Sequence, residues 1–128
     1  MRSANTFDWI EIRVQDAGRS ASFFEALFGW KIQDREKAGG RDYWIFDTGD
    51  DPRSENLRRG GMWAVSEGGQ PGVVVYIVTD DIEAVLEKVP RLGGTVVSPR
   101  TAQGAAFKAY FKDPSGNLFG LWEERSVA

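Results

Sequence analysis

The sequence has 128 residues, of which 41% are hydrophobic and 27% charged, as expected for one globular domain with a buried core. Its net charge is −3 at pH 7, and no long basic run indicates binding to nucleic acid. It contains no cysteine and no histidine, which excludes disulfides, thiol chemistry and zinc or most transition-metal sites. Only an all-oxygen site for a hard cation stays open.

Neither a signal sequence nor a membrane span is evident. The first residues are polar, and no apolar run approaches the ~20 residues that cross a bilayer. We therefore expect a cytoplasmic protein with no membrane partner.

The first half of the chain predicts the order βαβββ. An alternating strand comes first and places Trp9, Glu11 and Arg13 on one face. Asp16 is expected to cap the helix and Gly29 to end it. The predicted strands cover residues 7–14, 30–35, 42–48 and 62–65.

A charged loop is predicted over residues 49–61. It carries Arg53, Arg58 and Arg59 and is long enough to act as a lid that offers arginines to an anionic ligand. The alternative, and the commoner outcome for such a segment, is a solvated connector.

The second half repeats this order. A continuous apolar run over 73–79 predicts a strand covered on both faces. Asp80 with Glu83 resembles a capping box, and Pro90 should kink or end the helix that follows. Three further strands are predicted over 95–98, 106–112 and 118–123.

The two halves are in register. The aspartates Asp16 and Asp80, like the glycines Gly29 and Gly93, are 64 residues apart, which is half of the chain. A repeat of this kind takes precedence over other fold assignments. We predict an α+β fold in which two βαβββ modules, at about 5–66 and 71–125, form curved mixed sheets around a cleft within a single domain of residues 1–128.

Four segments resemble the vicinal-oxygen-chelate superfamily, which comprises glyoxalases, bleomycin resistance proteins and dioxygenases. Residues 7–16 resemble its opening strand, and residues 23–30 (FFEALFGW) its first-helix signature. Residues 76–84 together with residues 92–94 (LGG) resemble the strand and helix of its second half, and residues 113–117 (DPSGN) match the turn before its last strand. Within the superfamily, the chain is most similar to small proteins related to lactoylglutathione lyase.

The resemblance implies metal-assisted chemistry, but the positions that carry metal ligands in the family hold residues that cannot bind a metal here. They fall on Trp9, on Val73 or Val74, and on Gly120, while residues 61–65 offer no ligand. We therefore expect no metal and no cofactor, and the glyoxalase or dioxygenase activity does not transfer directly. The resemblance also implies a homodimer.

An aromatic-lined cleft suits a small, flat organic ligand. The candidate ligand-binding residues are Trp9, Arg13, Trp44, Trp63, Tyr76, Gly120 and Trp122. Tyr110 is a further hydrogen-bond donor. The alternative is that these aromatic residues pack in the core or in a dimer interface.

Glu11 is the carboxylate predicted nearest the centre of the cleft. It is a candidate general base, or else it forms an ion pair with Arg13. Four functions are compatible with these features. The first is a metal-free module that binds a small organic molecule, and the second is a metal-independent lyase, isomerase or cyclase that uses Glu11. The third is a metal enzyme with a carboxylate site of Glu11 and Asp47, and the fourth is an interaction protein whose cleft is filled by its own tryptophans. Whether the chain is an enzyme stays open at this point.

Overall fold

The computed structural model describes residues 4–38, 41–47, 58–65 and 69–124. The first half contains β1 (Thr6–Val14), α1 (Ala17–Phe28), β2 (Lys31–Ala38), β3 (Arg41–Asp47) and β4 (Arg58–Ala64). The second half contains β5 (Gly72–Val78), α2 (Ile82–Arg91), β6 (Thr95–Gln103), β7 (Ala106–Lys112) and β8 (Leu118–Glu124). The predicted succession, βαβββ twice, is confirmed. Neither described helix is long and apolar enough to cross a membrane.

The chain divides into two compact units. One is Trp9–Val73, and the other combines the residues before Trp9 with those after Val73. The grouping of both modules into one domain stays a prediction.

Each half has a mixed sheet. In the first half the strand order is β2-β3-β4-β1, with β1 and β4 parallel and the other neighbours antiparallel. In the second half the order is β5-β8-β7-β6, with β5 and β8 parallel and the others antiparallel. One helix and one mixed sheet in each half give the predicted α+β class.

Helix α1 begins and ends where the sequence predicts. The side chain of Asp16 accepts a hydrogen bond from the Arg19 backbone N–H at 3.0 Å, and Gly29 ends the helix in the left-handed region at φ 72°. The buried Ala21 belongs to a cluster that also contains Val14, Ile32, Phe46 and Met62. Helix α1 therefore covers one face of the first-half sheet.

Helix α2 begins one residue later than predicted. Asp81, and not Asp80, is the N-cap, since its backbone is extended and its side chain accepts a hydrogen bond from the Ala84 N–H at 3.1 Å. Pro90 lies in the last turn, and the helix ends at Arg91, as expected for a proline at that point. The buried Ile82 packs with Ala109 and Leu121, so α2 covers one face of the second-half sheet.

Three strands extend by three or more residues beyond a predicted end, and the first of them, β2, reaches Ala38 instead of residue 35. β4 begins at Arg58, so the end of the predicted loop 49–61 is strand, whereas residues 49–57 lie outside the described residues. β6 continues to Gln103. The pairings of Gly60 with Ile10 and of Gln103 with Ala106 extend β4 and β6 through stretches that include glycines, a proline and an alanine, which have low β-propensity.

Candidate functional site

The face of the first-half sheet opposite α1 collects several predicted site residues. Side chains alternate along a strand, and Ile12 and Val14 pack on the helix side, so the odd-numbered residues of β1 point the other way. In register, Glu11 lies beside Gly61, and Arg13 beside Trp63. We call this surface the first aromatic face; it consists of Trp9, Glu11, Arg13, Tyr43, Gly61 and Trp63.

A chain of hydrogen bonds crosses the first aromatic face. The Trp9 indole N–H donates to the Tyr43 hydroxyl at 2.8 Å, and that hydroxyl donates to Glu11 Oε1 at 3.4 Å. The Arg13 Nε–H donates to Glu11 Oε2 at 3.0 Å. Glu11 is only 7% exposed. A carboxylate buried to this degree requires partners, and here both of its oxygens accept hydrogen bonds.

Aromatic contacts order the same face. The rings of Trp9 and Tyr43 are stacked, with centroids 6.5 Å apart. The Arg13 guanidinium carbon lies 5.7 Å from the centroid of the Trp63 ring, within the range of a cation–π contact. Trp9, Tyr43 and Trp63 are each half-buried. The face therefore presents aromatic surface around a neutralised ion pair.

Trp44 does not lie on the first aromatic face. It packs against the helix-side cluster, and its register partner Met62 is fully buried there. The predicted placement of Trp44 in the site is therefore corrected. Its neighbour Tyr43, which is not among the candidates predicted from the sequence, lies on the first aromatic face, because alternation puts Tyr43 and not Trp44 on the side of Glu11.

Gly61 makes room for Tyr43. A Cβ atom at position 61 would lie 1.8 Å from Cε1 and 2.4 Å from Cζ of the Tyr43 ring. The absence of a side chain on β4 thus lets the ring reach Glu11 and Trp9.

The second-half sheet has a comparable face opposite α2. Leu121 and Ala109 pack on the helix side, so the even-numbered residues of β5, β7 and β8 point the other way. We call this surface the second aromatic face; it consists of Tyr76, Lys108, Tyr110, Gly120 and Trp122. The hydroxyls of Tyr76 and Tyr110 are hydrogen-bonded to each other. Of the predicted residues in this half, Tyr76, Gly120 and Trp122 therefore share one face.

The metal implied by the family resemblance does not fit these residues. The indole nitrogen of Trp9 is a hydrogen-bond donor to Tyr43, Val73 and Val74 carry only hydrocarbon, and Gly120 has no side chain. Among the described residues, no group of three or more acidic side chains could hold a metal ion. Glu11 and Asp47 alone do not form such a group, which weakens the carboxylate-site hypothesis.

One pocket lies beside helix α1. A groove of about 370 Å³ runs beside the start of α1 and is lined by the end of β1, the first turns of α1 and Pro71. None of the predicted site residues lines it.

The sequence matches a known family over most of its length. Residues 6–121 match the sequence model of the glyoxalase/bleomycin resistance protein/dioxygenase superfamily. The chain belongs to this superfamily. The resemblance inferred from the four sequence segments is thereby confirmed.

Relatives and solved structures of the superfamily are similar to this chain. CFP32 of Mycobacterium tuberculosis, provisionally named a glyoxylase, is 30% identical over 92% of this chain and 45% of its own length. The anthracycline biosynthesis protein DnrV of Streptomyces peucetius is 28% identical over 91% of this chain and 46% of its own length. The chain thus spans about half the length of these curated relatives.

The structural comparison supports the fold. The crystal structure of methylmalonyl-CoA epimerase from Mycobacterium tuberculosis matches with a TM-score of 0.62 at 15% identity, over 98% of this chain and 93% of that one. At this identity the match shows the glyoxalase/bleomycin-resistance fold and no shared activity.

Proposed function

We propose that this superfamily member binds a small, flat organic molecule without a metal, with the first aromatic face as its binding surface. The observation that carries the proposal is the network of Trp9, Tyr43, Glu11 and Arg13, which satisfies a buried carboxylate beside half-buried aromatic rings. Aromatic surface with a few fixed polar groups is typical of sites for organic ligands.

The anthracycline relative supports this ligand class. DnrV is named for the biosynthesis of anthracyclines, which are flat aromatic molecules, and it is 28% identical to this chain. A flat ring system could stack on Trp9 or Trp63 and hydrogen-bond to Tyr43 or Arg13.

The contacts of Glu11 favour binding over base catalysis. A general base needs a lone pair directed at its substrate. Two of the roughly four lone-pair positions of the Glu11 carboxylate already accept hydrogen bonds from Arg13 and Tyr43, so fewer are left to accept a proton from a substrate. A metal-independent lyase, isomerase or cyclase that uses Glu11 is therefore the weaker alternative. The ion pair between Glu11 and Arg13, which was the other possibility for this carboxylate, is present.

The test is a ligand panel followed by NMR of the indole N–H signals. We expect flat aromatic compounds to shift the signals of Trp9 and Trp63. Trp30, which stacks on Phe24 on the helix side, serves as the internal control and should not move. A panel that leaves Trp9 and Trp63 unchanged, or shifts Trp30 equally, contradicts the proposal.

The homodimer implied by the family and the cytoplasmic location stay predictions.

A second proposal, argued below, concerns the second aromatic face.

A further inference from the structure

A pair of tyrosine hydroxyls lies where the family resemblance would place a metal ligand. Gly120 on β8, the vacated ligand position, is the register partner of Tyr76 on β5 and of Tyr110 on β7. The two tyrosines therefore flank Gly120 on the second aromatic face, and their hydroxyls are hydrogen-bonded to each other.

The Tyr76 ring fills the space above Gly120. A Cβ atom at position 120 would lie 2.5 Å from both Cδ2 and Cε2 of Tyr76, which is only 6% exposed. The Tyr110 ring meets the Tyr76 ring edge-on, with centroids 5.7 Å apart and planes at 68°. A ligand side chain on β8 is thus incompatible with this arrangement, and the fixed groups at this point are two phenols.

A positive charge accompanies the hydroxyl pair. Lys108, in register beside Trp122, places its ammonium nitrogen 5.8 Å from the centroid of the Tyr110 ring. Among the described residues of β5, β7 and β8, the carboxylate on the same face is Glu124, at the end of β8. Tyr110 and Trp122 are half-buried, so part of this face is accessible to a small molecule.

We propose that Tyr76 and Tyr110 bind the negatively charged oxygen of a small organic anion. On binding, their mutual hydrogen bond is exchanged for two hydrogen bonds donated to the anionic oxygen. Phenolic hydroxyls in a fixed, partly dehydrated position are effective donors to such an oxygen. Lys108 adds electrostatic attraction, and Trp122 offers a surface for the organic part. The inference goes beyond the proposed function, because it concerns the second aromatic face and a different ligand class, an organic oxyanion.

The experiment compares two probes of nearly equal shape. The phenol para-nitrophenol ionises to a coloured phenolate near neutral pH, whereas its methyl ether, para-nitroanisole, carries no anionic oxygen. The full chain is titrated with each probe near neutral pH, with absorbance reporting the phenolate fraction and calorimetry the affinity. We expect tighter binding of the phenol and an increased phenolate fraction on the protein.

Replacement of the donors should remove this preference. Tyr110→Phe and Tyr76→Phe each delete one hydrogen bond to a charged oxygen, which corresponds to a loss of about tenfold or more in phenolate affinity. Binding of para-nitroanisole should change little. Lys108→Gln should weaken phenolate binding, whereas Lys88→Gln, on the exposed end of α2, should not. Circular dichroism verifies that each variant is folded.

The outcomes separate this inference from the proposed function. Equal affinity for both probes, unchanged in Tyr110→Phe, overturns the anion site but leaves binding of aromatic molecules intact. Binding of neither probe also overturns the anion site, while the proposed function is then judged by the Trp9 and Trp63 signals of the ligand panel.

Discussion

The absence of a side chain at Gly61 determines where the Tyr43 ring can lie. Gly61→Ala places a Cβ atom 1.8 Å from the Tyr43 ring, so the ring must move and lose the hydrogen bond it donates to Glu11 and the one it accepts from Trp9. We expect a loss of about 1–3 kcal/mol in the free energy of unfolding, measured by urea denaturation.

Gly72→Ala is the matched control. A Cβ atom there meets nothing within 4 Å, and the change should alter stability by no more than about 0.5 kcal/mol. Equal stability of the two variants would contradict the role assigned to Gly61.

Arg13 neutralises a buried carboxylate. Arg13→Ala leaves Glu11, 7% exposed, without the guanidinium that donates to its Oε2 atom. We expect a loss of about 2 kcal/mol or more in the free energy of unfolding. The control is Arg91→Ala, which breaks a solvent-exposed pair with Glu87 and should cost less than about 1 kcal/mol. A similar loss in both variants would show that Glu11 does not depend on Arg13.

The sequence predicted part of the first aromatic face. The alternation of β1 correctly grouped Trp9, Glu11 and Arg13, because one strand with a clear polar side defines its own faces. In β3, by contrast, Tyr43, Trp44, Ile45 and Phe46 are all apolar or aromatic, so the pattern does not tell which of them face the helix. Only the pairing of Trp44 with Met62 resolves this.

At the scale of elements, Asp81 and not Asp80 is the aspartate that caps the start of α2. The side chain of Asp81 accepts from the Ala84 N–H, whereas Asp80 lies before the helix. Asp81→Ala should therefore lower the free energy of unfolding by about 1 kcal/mol, and Asp80→Ala should have a much smaller effect. Thermal denaturation of both variants followed by circular dichroism measures the difference, and a larger effect of Asp80→Ala would assign the cap to the other residue.

A second ion pair connects three elements of the second half. Glu123 on β8 accepts hydrogen bonds from the Arg100 side chain on β6, at 2.7 Å, and from the Ile82 N–H of α2, at 2.8 Å. The Arg100 guanidinium also lies over the Phe107 ring, 3.5 Å from its centroid. The Arg100 hydrogen bond and that of Ile82 hold the pKa of Glu123 below its ordinary value.

This lowered pKa predicts a pH dependence of stability. Because the folded pKa is depressed, the stabilisation is complete above the unfolded value of about 4.5 and is lost as the pH falls through the folded pKa. We expect Glu123→Gln to be less stable than the wild type at pH 7, with the difference shrinking as the pH falls below about 4.5. Urea denaturation over this pH range measures it. The control Glu87→Gln breaks a solvent-exposed pair and should cost less than about 1 kcal/mol at pH 7. A difference for Glu123→Gln that stays constant over the pH range would contradict the account.

Element boundaries were predictable where the signal is local. Aspartate favours the start of a helix and glycine the left-handed conformation at its end, so Asp16 and Gly29 were enough to place α1 correctly. The strands β4 and β6 were predicted too short, because β4 is extended by pairing with β1, which is distant in the sequence, and β6 continues along β7 up to a two-residue hairpin turn. At α2, two adjacent aspartates gave the same sequence signal, and the structure selects Asp81.

For the whole molecule, the sequence repeat was the most informative feature. It predicted the order βαβββ twice, which the structure confirms, and the family match over residues 6–121 agrees with it. The ligand could not be predicted in this way, because a fold shared by epimerases and other proteins does not specify a substrate. Function in this chain must be argued from the two aromatic faces.

The central claim is that this superfamily member binds an organic molecule without a metal, and native mass spectrometry tests it most directly. The freshly purified full chain is measured with and without a chelator, which also reports whether the chain forms a homodimer. The account predicts a mass that carries no metal and is unchanged by the chelator, with any additional mass due to an organic ligand. A stoichiometric metal that the chelator removes would contradict the account and would direct attention to Glu11 and Asp47 as ligands.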